Sequence, residues 1–182
     1  DCNGVIDDSI SVCDQMLASD STDAMDFAKA IDLCQVATPN DKKWGVISGS
    51  LTLPSGSGTP DAVSHSIRHH FGTGVQPQGG LSMALLSSGT AAGIGDTNPA
   101  HQDFVSYAGN QSSPLPADWL AANGGKVPNA PGCDPPDDTM GNDPVMLTLS
   151  IRVPTNAHSF KLSVYFFSAE FPEWVCTPYN DF

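Results

Sequence analysis

The stretches VMLTLSIRV at 145–153 and SFKLSVYFF at 159–167 decide the fold class of this chain. In the first, Val145, Leu147, Leu149, Ile151 and Val153 alternate with Met146, Thr148, Ser150 and Arg152. In the second, Phe160, Leu162, Val164 and Phe166 alternate with Ser159, Lys161, Ser163 and Tyr165. Successive strand side chains point to opposite faces, so this alternation predicts two strands, each with one buried face. The PTNAH between them is turn chemistry, which makes an antiparallel hairpin the expected pairing.

Working outward, 44–53 (WGVISGSLTL) and 81–89 (LSMALLSSG) read as further strands. Residues 21–35 read as an amphipathic helix, capped by Ser21, Thr22 or Asp23, with Met25, Phe27, Ala28, Ile31 and Cys34 at helical spacing. A short helix is predicted over 61–71, with Val63, Ile67 and Phe71 on one face, and another over 116–122, opening at Pro116. Most of 98–144 reads as loop. These elements imply a mainly β fold, an antiparallel β-sandwich of jelly-roll type with a few short helices. Residues 1–20 form an acidic, cysteine-bracketed segment ahead of a sandwich over 21–182.

Composition narrows the function. The 182 residues carry 20 acidic against 7 basic side chains, a formal net charge of −13. Such a chain repels phosphate backbones and anionic lipid, so nucleic-acid binding and membrane-surface binding are excluded as leading readings. No apolar run approaches the ~20 residues that span a bilayer. Only Glu170 and Glu173 among the acids are Glu; the rest are Asp, which favours turns, caps and oxygen-rich cation sites.

Five cysteines, Cys2, Cys13, Cys34, Cys133 and Cys176, form no CxxC pair and lack zinc-ligand spacing with His. With few lysines and many small polar residues, they point to an exported, disulfide-bearing protein at the cell surface or beyond it, its signal already removed. Cys2 and Cys13 bracket a short acidic segment and are the first pair expected to bridge. The odd number leaves one free thiol, or a partner on a segment outside this chain.

The most distinctive residues are FFSAEFPEWVCTPYNDF at 166–182. Ser168, Glu170, Pro172 and Glu173, followed by Tyr179-Asn180-Asp181-Phe182, resemble the signature of the choice-of-anchor L domain, a family of bacterial cell-surface proteins. Phe171 stands where the family more often has Tyr. KWGVISGSLTLP, FGTGVQPQGG, LLSSGTA and RVPTNAHSF add to the resemblance, which spans roughly residues 23–182. The family is defined by sequence and surface location, so the resemblance implies a displayed domain and no particular activity. It also implies a further strand and another Cys beyond Phe182, so this chain is expected to lack its C-terminal part. DCNGVIDD at 1–8 resembles the tail of an Asp/Cys-rich metal-binding motif that precedes such domains.

Two sets of oxygen donors are candidate Ca²⁺ sites. The first is Asp1, Asn3, Asp7 and Asp8 around Gly4, for which a solvated acidic linker is the equal alternative. The second is Glu170, Glu173, Asn180 and Asp181, which serve equally as caps that pin a strand-to-loop corner. Asp134, Asp137, Asp138 and Asp143 form a third acid cluster in a segment stiffened by Pro135 and Pro136, which suits either a calcium loop or an exposed surface loop, the exposed loop being preferred. His65 and His69 of HSIRHH would share one helical face, but Arg68 between them opposes a cation, and an exposed polar helix is preferred. Asn110-Gln111-Ser112 is a formal glycosylation sequon.

No Gly-x-Ser-x-Gly elbow or phosphate loop is present. The preferred reading is therefore a non-catalytic extracellular domain, with no assigned catalytic residue, used in adhesion or an extracellular assembly. Its partners would be cell-surface proteins, its own missing C-terminal segment or further copies. The alternative is a secreted glycosidase-like hydrolase using Glu170 and Glu173, since glycoside hydrolysis needs two carboxyls across a cleft.

Overall fold

The computed structural model describes residues 12–103, 107, 109–134, 136, 138–168 and 172–177. Helix α1 (Ala24–Ala30) begins where Asp23 accepts the Met25 N–H at 2.9 Å, the side-chain cap expected of Asp. Ser21 Oγ and Lys29 both donate to the Asp26 carboxylate, at 2.8 Å each, tying the first turn to the last. The helix ends earlier than the pattern predicts, because Asp32 adopts a left-handed φ of 68° and turns the chain.

α1 packs on β1 (Gly45–Thr52), which pairs antiparallel with β6 (Met146–Arg152). The register runs from Gly45 opposite Arg152 to Thr52 opposite Met146, with a shift between Val46 and Ser48 that leaves Ile47 as the extra residue of a bulge. A second ribbon joins β2 (His65–Arg68) to β3 (Met83–Leu86), and a third joins β4 (Ser112–Pro114) to β5 (Met140–Asn142). Helix α2 (Ala117–Ala122) follows Pro116 as expected and has no buried residue. Among the described residues the architecture is therefore mainly β, in three small antiparallel two-stranded sheets with two short helices.

The core lies under α1. Phe27 is fully buried with Ala30 and Ile67, and Leu17, Leu51, Ala84 and Leu147 pack around them. The ring of His65 lies 5.8 Å from that of Phe27. Of the ten buried apolar residues described, six are alanine, so packing alone buries little side-chain surface. Gly45 (φ 152°) explains one close approach: a Cβ there would sit 2.6 Å from the Gln35 carbonyl, blocking the 35–37 segment from lying along β1.

Three expectations need correction. Residues 61–71 form no helix; β2 occupies their centre. Ser64, His65 and Ser66 are buried there, and strand pairing with β3 plus a Ser66 hydroxyl bond to the Ala91 carbonyl satisfies groups that a solvent-facing helix would expose. The hairpin between 145–153 and 159–167 does not form. β6 pairs instead with β1, and 157–168 runs without strand, turn or bend. Cys13 bridges Cys34 rather than Cys2, because the turn after α1 brings the Cys13 and Cys34 Cα atoms to 5.6 Å. A second bridge joins Cys133 to Cys176.

Candidate functional site

The site begins with Asp14, directly after a bridged cysteine, whose carboxylate reaches across to the loop before β3. Its Oδ2 accepts the Leu81 N–H at 2.6 Å, the Ser82 N–H at 2.7 Å and the Ser82 hydroxyl at 2.9 Å. The residue is only 2% exposed, so it is a buried anion held by converging donors. Burial pushes its pKa up, but the bonds from Leu81 and Ser82 outweigh that and hold it below the usual carboxylate range. Gly80 is required by the same clamp: φ is 64°, and a Cβ would meet Oδ2 at 2.6 Å. Oδ1 is buried and has no partner among the described residues.

Asp14 and Ser82 line a cavity of about 240 Å³ with Leu17, Ile67, Arg68, Asp96, His69, His70 and Ser19. Each of its polar side chains already holds at least one partner. Arg68 donates through Nη1 to Asp96 at 3.3 Å, through Nη2 to the Pro99 carbonyl at 3.3 Å and through Nε to Ser66 at 3.3 Å. Ser19 Oγ donates to the Asn98 carbonyl at 2.7 Å. His69 and His70 place Nδ1 at 2.8 Å from the carbonyls of Leu81 and Gly72. A carbonyl only accepts, so Nδ1 carries the hydrogen in both rings and Nε2 is left as the other ring nitrogen. Neither hydroxyl is hydrogen-bonded to a histidine: Ser82 donates to Asp14 and Ser19 to a carbonyl, so no nucleophile–base pair is assembled here.

His65 lies apart from this group. It is buried against Phe27, and burial pushes its pKa down, partly opposed by Asp61. Four residues along a strand span about 13 Å, so His65 and His69 lose the juxtaposition that a helix would give them.

Of the expected Ca²⁺ donors, Asp1, Asn3, Asp7, Asp8, Glu170, Asn180 and Asp181 lie outside the described residues, as does Cys2. Glu173 is described and stands exposed. Among the described residues no three His, Cys, Asp or Glu side chains come together as a metal centre requires. In the acidic loop, Asp134 is exposed, Asp137 lies outside the described residues, and Asp138 caps the Met140 N–H at 2.9 Å. Asp143 ties two strand ends: its Oδ1 accepts from the Gln111 N–H at 2.9 Å, and its own N–H donates to the Gln111 carbonyl at 2.8 Å. These two acids therefore act on backbone, at either end of β5. No described helix is long and apolar enough to cross a membrane.

Asp14, Arg68 and Asp96 escaped sequence reasoning. The partners of Asp14 lie 67 and 68 residues away, so no local spacing marks it. The one hint is Gly79-Gly80 before an apolar run, a loop able to present free N–H groups. In comparisons with known proteins, no family model, curated protein or solved structure matches this chain.

Proposed function

We propose that this chain is a non-catalytic structural domain, exported and displayed at the cell surface, serving adhesion or an extracellular assembly. The observation that carries this reading is how the cavity spends its ionisable groups. Asp14 and His69 both hold the backbone of Leu81, Arg68 holds the Pro99 carbonyl and His70 the Gly72 carbonyl. Side chains committed in this way act as struts, and a reaction would need one of them free near a nucleophile. Two disulfides fit an oxidising compartment. The resemblance of 166–182 to the choice-of-anchor L signature points the same way.

Within this reading, the three small sheets are parts of a jelly-roll-like sandwich, and Ca²⁺ stabilises the acidic segments that hold Asp1–Asp8 and Glu170–Asp181. Two measurements test it. Protease shaving of intact cells making the full-length precursor should release peptides of this domain; a protein retained inside with reduced cysteines would refute the display role. Thermal melts with and without chelator should differ if calcium belongs to the fold, and coincident curves remove it. The hydrolase alternative gains no support from Glu173, which is exposed. Glycan or peptide turnover abolished by Glu173→Ala would revive it.

A further inference from the structure

Residues 159–167 are a strand-patterned segment that pairs with no strand among the described residues. Phe160 is 90% exposed, Leu162 57%, Val164 70% and Phe166 65%. None of the backbone N–H or C=O groups of 159–167 bonds to the backbone of another described residue. The segment is nonetheless anchored. Tyr165 accepts from Gln78, and the Phe167 ring lies tilted against Phe71 at 5.1 Å, so these two odd-numbered side chains touch the 71–78 loop. The even-numbered apolar set is left outward. An unpaired edge of this kind, with a single charge at Lys161, is a template for another chain.

Two features select a second copy of this protein as the occupant. The first is charge. Residues 144–169 contain no Asp or Glu and carry Arg152 and Lys161, in a chain of net charge −13. Two copies approaching elsewhere bring acid against acid; here they meet where neither carries any. The second is self-complementarity. An antiparallel pair centred on Ser163 puts Phe160 opposite Phe166 and Leu162 opposite Val164, with Lys161 facing Tyr165 rather than another lysine.

We propose that 159–167 pairs antiparallel with the same segment of a second copy, about a twofold axis at Ser163. The twofold makes the interface isologous, the same edge being used in both copies, so the pairing closes as a dimer while the outer edge of each strand stays solvated. A lone ribbon is marginal in water, so the dimer is weak, with a Kd on the order of 100 µM. The proposal deepens the structural reading, because it names how a displayed domain would join its neighbours.

Sedimentation equilibrium of the whole chain from ~10 µM to ~1 mM should show a shift from monomer to dimer mass, as a Kd of that order requires. Leu162→Lys with Val164→Lys should hold it at monomer mass while leaving the melting temperature unchanged, since both sites are exposed. In a Cys2→Ser background, Ser163→Cys should oxidise to a covalent dimer about tenfold more than Lys161→Cys, because only opposed residues come within disulfide reach. A monomer throughout, a dimer that survives the double lysine variant, or preferential cross-linking at 161 would each overturn the pairing. Monomer mass with protected amides over 159–167 would show that the chain covers the segment itself, which also overturns it. Any of these leaves the shaving result on cells standing, so this failure and that of the display role are told apart.

Discussion

The region around Phe27 and the region ending at residue 177 are held together by different means. Around Phe27, an apolar cluster, the Asp14 clamp and the Cys13–Cys34 bridge act on the same few elements, so each restrains what the others order. Toward the end of the chain, 159–167 is exposed, and the contacts that tie this region back include the Gln78–Tyr165 bond, the Phe71–Phe167 pair and the Cys133–Cys176 bridge. A bridge that closes around a packed cluster limits unfolding of that cluster. Cys133–Cys176 encloses β5 and β6 as well as the exposed 159–167, so it restrains packed strand and solvated chain together. Cooperativity should therefore be concentrated in the first region.

The largest effect should come from Phe27→Ala. Emptying a fully buried aromatic site typically costs about 3–5 kcal/mol, and a core otherwise rich in alanine has little with which to refill it. Denaturant unfolding of the variant should show this loss; one below about 1 kcal/mol would mean the stability resides elsewhere.

The bridges give a sharper contrast. Loop closure alone would give Cys133–Cys176, with 43 residues enclosed, about 4 kcal/mol, and Cys13–Cys34, with 21, about 3 kcal/mol. If the terminal region lies outside the cooperative unit, that order inverts: Cys13→Ser/Cys34→Ser should lower the main transition more than Cys133→Ser/Cys176→Ser. Paired chemical melts decide, and the larger loss in the second variant would break the comparison.

Asp14→Asn comes next, at about 1–3 kcal/mol, because the amide weakens bonds that three buried donors make to a carboxylate. Its depressed pKa sets the pH dependence. The contribution is present above the unfolded pKa near 4 and is lost as pH falls through the lower folded value. His65 acts earlier. Burial lowers its pKa, so below about pH 6.5 the unfolded chain gains a proton that the folded chain resists, and stability declines as pH drops. Melts between pH 7 and 5 should slope downward with acidification, and His65→Gln should flatten that slope. The smallest effect is expected at Phe160→Ser: at 90% exposure it should alter stability by less than about 0.5 kcal/mol.

Sequence patterning located α1, α2, β1, β3 and β6 because each signal is local: a cap, a proline, an alternation. It failed where the deciding partner is remote. Alternation specifies which side chains share a face and says nothing of which strand lies alongside, so β6 found β1 roughly a hundred residues upstream instead of its neighbour. The 61–71 stretch was misread because Val63, Ile67 and Phe71 fit a helical repeat, while the burial of Ser64 and Ser66 that favours a strand is a tertiary fact. Cys34 is one of the five candidate cysteines, but nothing local names its partner; the early end of α1 turns it toward Cys13. The clamp at Asp14 was hidden for the same reason, since its meaning rests on donors in another loop.

The two bridges have a mechanical consequence. A domain pulled from both ends can lengthen only through chain lying outside its covalent loops. The 21 and 43 residue steps enclosed here withhold roughly 220 Å of contour at about 3.5 Å per residue. A reductant would return that slack, making the length of the chain under load a direct reporter of the redox state around it.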